Sequence, residues 1–125
     1  MKSIGVLELQ GNYALHHKTF SDLGISSKGV KLSKDLDNVE GLVIPGGEST
    51  TISLLLDSYN LRKPIKEFAK EYPIMGTCAG LIMMSTKIEN DTKVKPLEIL
   101  DVVVDRNAYG RQIMSSKESI SFNLN

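Results

Sequence analysis

One cysteine, two histidines and no tryptophan among 125 residues restrict the chemistry open to this chain. A single thiol cannot close an internal disulfide, so the fold rests on its core, and a cysteine kept for reactivity suits a reducing compartment. The histidines, His16 and His17, are adjacent and cannot both point the same way. No Cys, Asp or Glu cluster accompanies them at zinc-like spacing, which argues against a metal site and for packed or partner-facing side chains. No charge of one sign is in excess, because fifteen basic residues balance fifteen acidic ones. That leaves no electrostatic footprint for nucleic acid or an anionic membrane surface, and makes a small molecule or another protein the default partner. Long apolar runs are missing too. Ile4-Gly5-Val6-Leu7 is cut off by Glu8, too early for a signal peptide, and nothing approaches a membrane span. There is no internal repeat and no low-complexity segment. These absences predict a soluble cytoplasmic protein with one domain over residues 1–125.

What is present centres on Pro73-Ile74-Met75-Gly76-Thr77-Cys78-Ala79-Gly80-Leu81-Ile82-Met83-Met84. A short apolar run reads as a buried strand, a Gly-x-Cys-x-Gly turn follows, and a Met-rich apolar run reads as a helix. This is the pattern of a nucleophile elbow, in which the reactive residue sits on a strained strand-to-helix corner and glycines allow the tight backbone approach. A lone Cys is more often a small buried hydrophobe, but these flanks point to Cys78 as a nucleophile. At a helix N-terminus its thiolate is favoured by unpaired N–H groups and the helix dipole.

The remaining chain alternates in the same way. Ile4 to Leu7 reads as a first strand, and residues 13–23 read as a helix with Tyr13, His16, His17, Phe20 and Leu23 on one face and Gly24 as its stop. Residues 28–32 suit a second strand, 35–40 a polar connection, and Gly41-Leu42-Val43-Ile44 a stronger strand. The next corner is Pro45-Gly46-Gly47-Glu48-Ser49-Thr50-Thr51, with Ser49 or Thr50 as N-cap candidates for a helix through Ile52 and Leu56. Two adjacent glycines let an amide N–H face a ligand, as stabilising an oxyanion requires, although Pro-Gly-Gly is also ordinary turn punctuation. Pro64 opens another helix with Ile65, Phe68 and Ala69 as its apolar side. Residues 89–95 read as a charged loop, 97–104 as β-type, and 120–124 as a half-buried strand. Between the last two lies a polar loop with Arg106 and Arg111, a residue type whose planar fork can hold a carboxylate. The alternation predicts an α/β fold, a mainly parallel sheet with helices on both faces. Ligands bind such sheets at the carboxyl ends of the strands, where the Gly46-Gly47 and Cys78 corners both lie.

Several motifs taken together go further. Leu9-Gln10-Gly11, Pro45-Gly46-Gly47-Glu48-Ser49-Thr50-Thr51, Gly76-Thr77-Cys78-Ala79-Gly80-Leu81, and Arg106-Asn107 with Gly110-Arg111-Gln112 resemble the glutaminase subunits of pyridoxal 5'-phosphate synthase. These are class I glutamine amidotransferases, the resemblance runs over essentially the whole chain, and it implies their flavodoxin-like three-layer fold. It implies hydrolysis of glutamine to glutamate and ammonia, with ammonia passed to a synthase subunit that builds the vitamin B6 cofactor. By the same likeness Cys78 is the nucleophile, and the N–H groups of Gly47 and Ala79 form the oxyanion hole. Gly46, Gly47, Glu48, Ser49 and Arg106 contact glutamine, with Arg106 on its α-carboxylate, and Gln10 lies near the synthase interface. No cofactor or metal is implied. Members of the family run well beyond position 125 and carry a late His-x-Glu pair, preceded by an Ile-Arg pair, that this sequence does not contain. The expectation is therefore a truncated chain, the N-terminal two-thirds of the family domain, inactive alone. The alternatives are a non-catalytic module that binds glutamine and the synthase, or a glutaminase serving another ammonia acceptor. Glu8, where the family has a small or apolar residue, and Ala108-Tyr109 in place of Ser-Phe are smaller departures.

Overall fold

Strand β1 (Ser3–Leu7) runs inside a four-stranded sheet whose carboxyl edge carries the three corners singled out above. The computed structural model describes residues 3–89, 93–100, 102–105 and 120–122. After β1 come α1 (Tyr13–Asp22), β2 (Ser27–Val30), a short 3-10 helix (Ser33–Asn38), β3 (Val39–Ile44) and α2 (Ser49–Ser58). Helix α3 (Arg62–Phe68) then leads to β4 (Ile74–Gly76) and α4 (Ala79–Met84). All pairings in the order β2-β1-β3-β4 are parallel. Register pairs Val6 with Val43, and Ile44 with Gly76, so β1, β3 and β4 end at one level. Gln10-Gly11, Gly46-Gly47 and Thr77-Cys78 follow those ends directly.

Side chains alternate across a strand, so each strand feeds two faces. Leu7, Leu42 and Ile44 point to one face and join a buried cluster with Ile52 and Leu56 of α2, Ile65 and Phe68 of α3, and Ile82 and Met83 of α4. Each such side chain contributes roughly 1.5–3 kcal/mol by leaving water. Val6 and Val43 are also buried but stand outside that cluster, on the face where α1 packs along β1 and β2. Helices therefore cover both faces, but unequally. No residue of α1 is buried, and a shallow cavity of about 220 Å³ opens between its Phe20 and Ile4, Val43 and Met75.

Beyond α4, the segment 93–100 is tied to that helix by Leu97 N–H to the Met83 carbonyl at 2.6 Å and Leu100 N–H to the Met84 carbonyl at 2.9 Å. Val94 and Leu97 enter the core. Arg62 anchors the same segment. Its guanidinium, only 11% exposed, donates to the carbonyls of Lys95 (2.6 Å) and Ser53 (2.8 Å) and to the Asp57 carboxylate (2.7 Å). A second sheet pairs β5 (Lys87–Glu89) in parallel with β6 (Val102–Asp105), and β6 antiparallel with β7 (Ile120–Phe122).

Four expectations change. The first helix stops at Asp22, and Leu23 is 68% exposed because Gly24, at φ +73°, turns the chain before another apolar position can reach the sheet. Strand β4 is not a buried strand; it is the edge of its sheet among the described residues, and Met75 is half exposed. The expected polar connection contains the 3-10 helix, begun by the Asp35 carboxylate accepting N–H bonds from Lys31 (3.0 Å) and Leu32 (2.9 Å), which hold that carboxyl below its ordinary range. Strand β5 was hidden in sequence, since a three-residue strand shows a single apolar side chain, Ile88.

Candidate active site

The elbow is built as its glycines require. Cys78 adopts φ +50° and ψ −113°, a conformation that is costly for a residue with a Cβ and that persists only where the surroundings enforce it. They do so here. Thr77 N–H donates to the Ile44 carbonyl at 3.2 Å on one side of the turn, while Gly80 N–H reaches the Thr77 carbonyl at 2.8 Å and Leu81 N–H the Cys78 carbonyl at 3.0 Å on the other. Gly80 is indispensable to this packing, because a Cβ there would drive into the Ile44 carbonyl oxygen. The outcome is a free, exposed thiol lifted off the end of β4, at the N-cap of α4.

The Gly46-Gly47 corner lies against it. A Cβ on Gly46 would stand 3.1 Å from Cys78 Cβ and 3.7 Å from Cys78 Sγ, which measures how closely the two turns approach. Gly46 is held at both polar groups: its N–H donates to Thr77 Oγ1 at 3.1 Å, and its carbonyl accepts from Asn12 N–H at 3.0 Å. Gly11 makes the second contact possible, since at φ +99° its backbone touches the Gly46 carbonyl where any Cβ would collide. A trans peptide sets its C=O and N–H in opposite directions, so this bond turns the Gly47 N–H away from α1. Among the described residues no hydrogen bond engages the N–H of Gly47 or of Ala79.

The other predicted site residues fall into three groups. Gln10 sits at the corner, where its Oε1 accepts the Glu48 N–H at 2.9 Å and lies over Gly47. Glu48 caps α2, a role the sequence reading gave to Ser49 or Thr50. Its carboxylate accepts from Thr50 N–H (3.2 Å) and from Thr51 N–H (2.9 Å). Burial pushes the Glu48 carboxyl up, but the Thr51 and Thr50 bonds outweigh it and the net displacement is below the ordinary 4.5. Ser49 is buried under the same turn. Arg106 lies outside the described residues.

The histidines point in two directions. His17 closes a pair with Glu8, Nε2 to Oε2 at 2.5 Å, and meets Ser27 Oγ through Nδ1 at 2.7 Å. That contact gives Glu8 a partner where it breaks the apolar pattern of β1. His16 turns the other way, its Nε2 3.4 Å from Thr77 Oγ1. Sequence reasoning missed this approach, and helical spacing alone could not have shown it, because it depends on α1 starting against Gly46. No group of three His, Cys, Asp or Glu side chains could hold a metal ion among the described residues, and no helix there is long and apolar enough to cross a membrane.

Comparison with known proteins adds the following. A family model described as the SNO glutamine amidotransferase family matches residues 6–124. The chain is 46% identical over 114 residues to the pyridoxal 5'-phosphate synthase subunit PdxT of Dehalococcoides mccartyi, covering 90% of this chain and 58% of that protein. It is 47% identical to PdxT of Oenococcus oeni, with 94% and 61% covered, and 42% identical to PdxT of Bacillus licheniformis, with 97% and 62% covered. A solved structure described as a glutamine amidotransferase superposes with a TM-score of 0.80 at 36% identity, over 88% of this chain and 59% of that one. The chain thus spans about three-fifths of the length of these relatives.

Proposed function

The chain belongs to the SNO glutamine amidotransferase family, and from that premise we propose that it carries the nucleophile of a glutaminase supplying ammonia to pyridoxal 5'-phosphate synthase. Cys78 is the nucleophile. Its thiolate attacks the side-chain carboxamide carbon of glutamine, the carbonyl electron pair moves onto oxygen, and the Gly47 and Ala79 N–H groups receive that charge. Collapse expels ammonia after the nitrogen gains a proton, leaving a γ-glutamyl thioester that water cleaves to glutamate and free thiol. Each oxyanion donor is typically worth ~3 kcal/mol of barrier. Gly46, Glu48, Ser49 and Arg106 surround the substrate, Gln10 faces the synthase subunit, and the protein works in the cytoplasm. The observation that supports this most directly is the exposed Cys78 at φ +50° beside Gly46, with the N–H groups of Gly47 and Ala79 unengaged among the described residues.

A second reading, a module that binds glutamine and the synthase without turnover, draws on another observation. His17 bonds to Glu8 and Ser27, His16 approaches Thr77, and among the described residues neither ring is hydrogen-bonded to Cys78. Intact mass after treatment with a γ-glutamyl chloroketone, with the synthase subunit present, separates the readings. One adduct mapped to Cys78, absent in Cys78→Ala while synthase binding survives, is the expected result. Synthase binding without any adduct would favour the binding module, and an adduct without synthase binding would point to another ammonia acceptor.

A further inference from the structure

We propose that His16 is a positioning residue for the Gly46-Gly47 corner, acting through the hydroxyl of Thr77; its functional meaning rests on the glutaminase reading above. Thr77 immediately precedes Cys78, and its hydroxyl oxygen accepts the Gly46 N–H at 3.1 Å. The same oxygen is 3.4 Å from His16 Nε2. A hydroxyl has one hydrogen and two lone pairs. With one lone pair taken by Gly46, the group is free to turn unless its hydrogen or its second lone pair is also engaged. His16 engages it in either tautomer, receiving the Thr77 hydrogen at Nε2 when its own proton is on Nδ1, and donating when it is on Nε2.

The approach follows from how α1 begins. Asn12, just ahead of the helix, gives its N–H to the Gly46 carbonyl at 3.0 Å, and Gly11 packs directly on that carbonyl. His16 lies four residues on from Asn12, one turn along, and so faces the same side. The start of α1 therefore holds both polar groups of Gly46, the carbonyl through Asn12 at its N-cap and the N–H through His16 and Thr77. His16 and Thr77 are each half-buried, which limits competition from water. The Gly46 carbonyl shares a rigid plane with the Gly47 N–H, so rotation at Gly46 re-aims that donor. A donor moved by about 1 Å can cost roughly a hundredfold in rate.

The test uses the 125-residue chain. Amide resonances and hydrogen exchange of Gly46 and Gly47 are recorded for the wild type, His16→Leu, His16→Gln and Thr77→Val. His16→Leu should move both amides in the direction of Thr77→Val and speed their exchange, and His16→Gln, whose amide reaches the place of Nε2, should restore them. In parallel, Cys78 is treated with a γ-glutamyl thioester, which acylates through an oxyanion, and with iodoacetamide, which needs only the thiolate. His16→Leu should slow acylation at least about tenfold and leave alkylation unchanged. The proposal is overturned if His16→Leu leaves Gly46 and Gly47 unmoved while Thr77→Val moves them, or if both reagents slow equally. Should His16→Leu not fold, the ring nitrogen shifts of His16 decide: unchanged between wild type and Thr77→Val, they overturn it. Wild-type Cys78 without preference for the glutamyl reagent, with the amides moving as expected, would sustain the positioning role and remove the glutaminase reading.

Discussion

Gly80→Ala tests the elbow through a sign. In most helices this substitution stabilises, because glycine costs about 1 kcal/mol relative to alanine. In α4 the added methyl would be aimed at the carbonyl of Ile44, with its oxygen, its carbon and the Cγ2 of its side chain as the nearest atoms. Two of those atoms are main chain of β3 and cannot rotate away, so α4 must lift from the sheet. Overpacking of this kind costs about 1–3 kcal/mol, and a rigid backbone places the cost near the upper end. Subtracting the helix gain leaves a loss of about 2 kcal/mol, or about 8 °C in melting temperature for a chain of this size. Lifting α4 also relaxes the turn at Cys78. Urea unfolding gives the stability, and the rate of Cys78 modification by a γ-glutamyl electrophile gives the site. A variant as stable as the wild type, or more so, with unchanged thiol reactivity would refute the claim that close β3–α4 packing sets the strained turn.

Three further outcomes follow from contacts already described. Arg62→Ala should cost about 3 kcal/mol, because it strips charged donors from the carbonyls of Ser53 and Lys95. Asp57→Asn, whose carboxylate is 57% exposed, should cost less than about 1 kcal/mol; equal losses in urea titrations would show that the ion pair and not the carbonyl bonds ties the segment down. Asp57 is held below the ordinary 3.8 by its Arg62 hydrogen bond, Asp35 below 3.8 by the Lys31 and Leu32 N–H groups, and Glu48 below 4.5 by Thr51 and Thr50 against burial. A depressed carboxyl contributes stability that is present above its unfolded value and lost as pH falls through its folded one. The urea midpoint should hold down to about pH 5 and then decline, and a midpoint that rises on acidification would contradict all three assignments. Glu48→Ala should loosen the first turn of α2 by about 1 kcal/mol, seen as faster amide exchange at Thr50 and Thr51.

The sheet and the elbow were legible in sequence because each depends on neighbours along the chain. Ile4 to Leu7, Gly41 to Ile44 and the glycines around Cys78 announce their conformations locally, and strands β1 and β3 and the turn at Cys78 lie where those residues put them. What was not legible depends on contacts between distant segments. The cap of α2 comes from Glu48, a residue whose side chain is not a usual cap but which is fixed there by Gln10 on its N–H. Strand β4 reads as apolar and yet lies at the edge of its sheet among the described residues, since burial is decided by what stands beside a strand and not by its own residues. His16 and His17 are alike in sequence, and only the seating of α1 on Gly46 sends one to Thr77 and the other to Glu8.

Helix α1 has no fully buried residue, and polar links form much of its attachment beside the site: Asn12 to Gly46, His16 to Thr77, and His17 to Glu8 and Ser27. In mechanical terms the corner beside Cys78 is a stiff beam resting on a compliant support. The sheet beneath it is secured by apolar packing that holds until the whole molecule melts, whereas the polar fastening of α1 can open and close in sub-global fluctuations. Endurance of the fold and endurance of the site are then two different properties. A preparation that retains its full secondary structure after mild heating can already have lost the shape of the corner beside its cysteine.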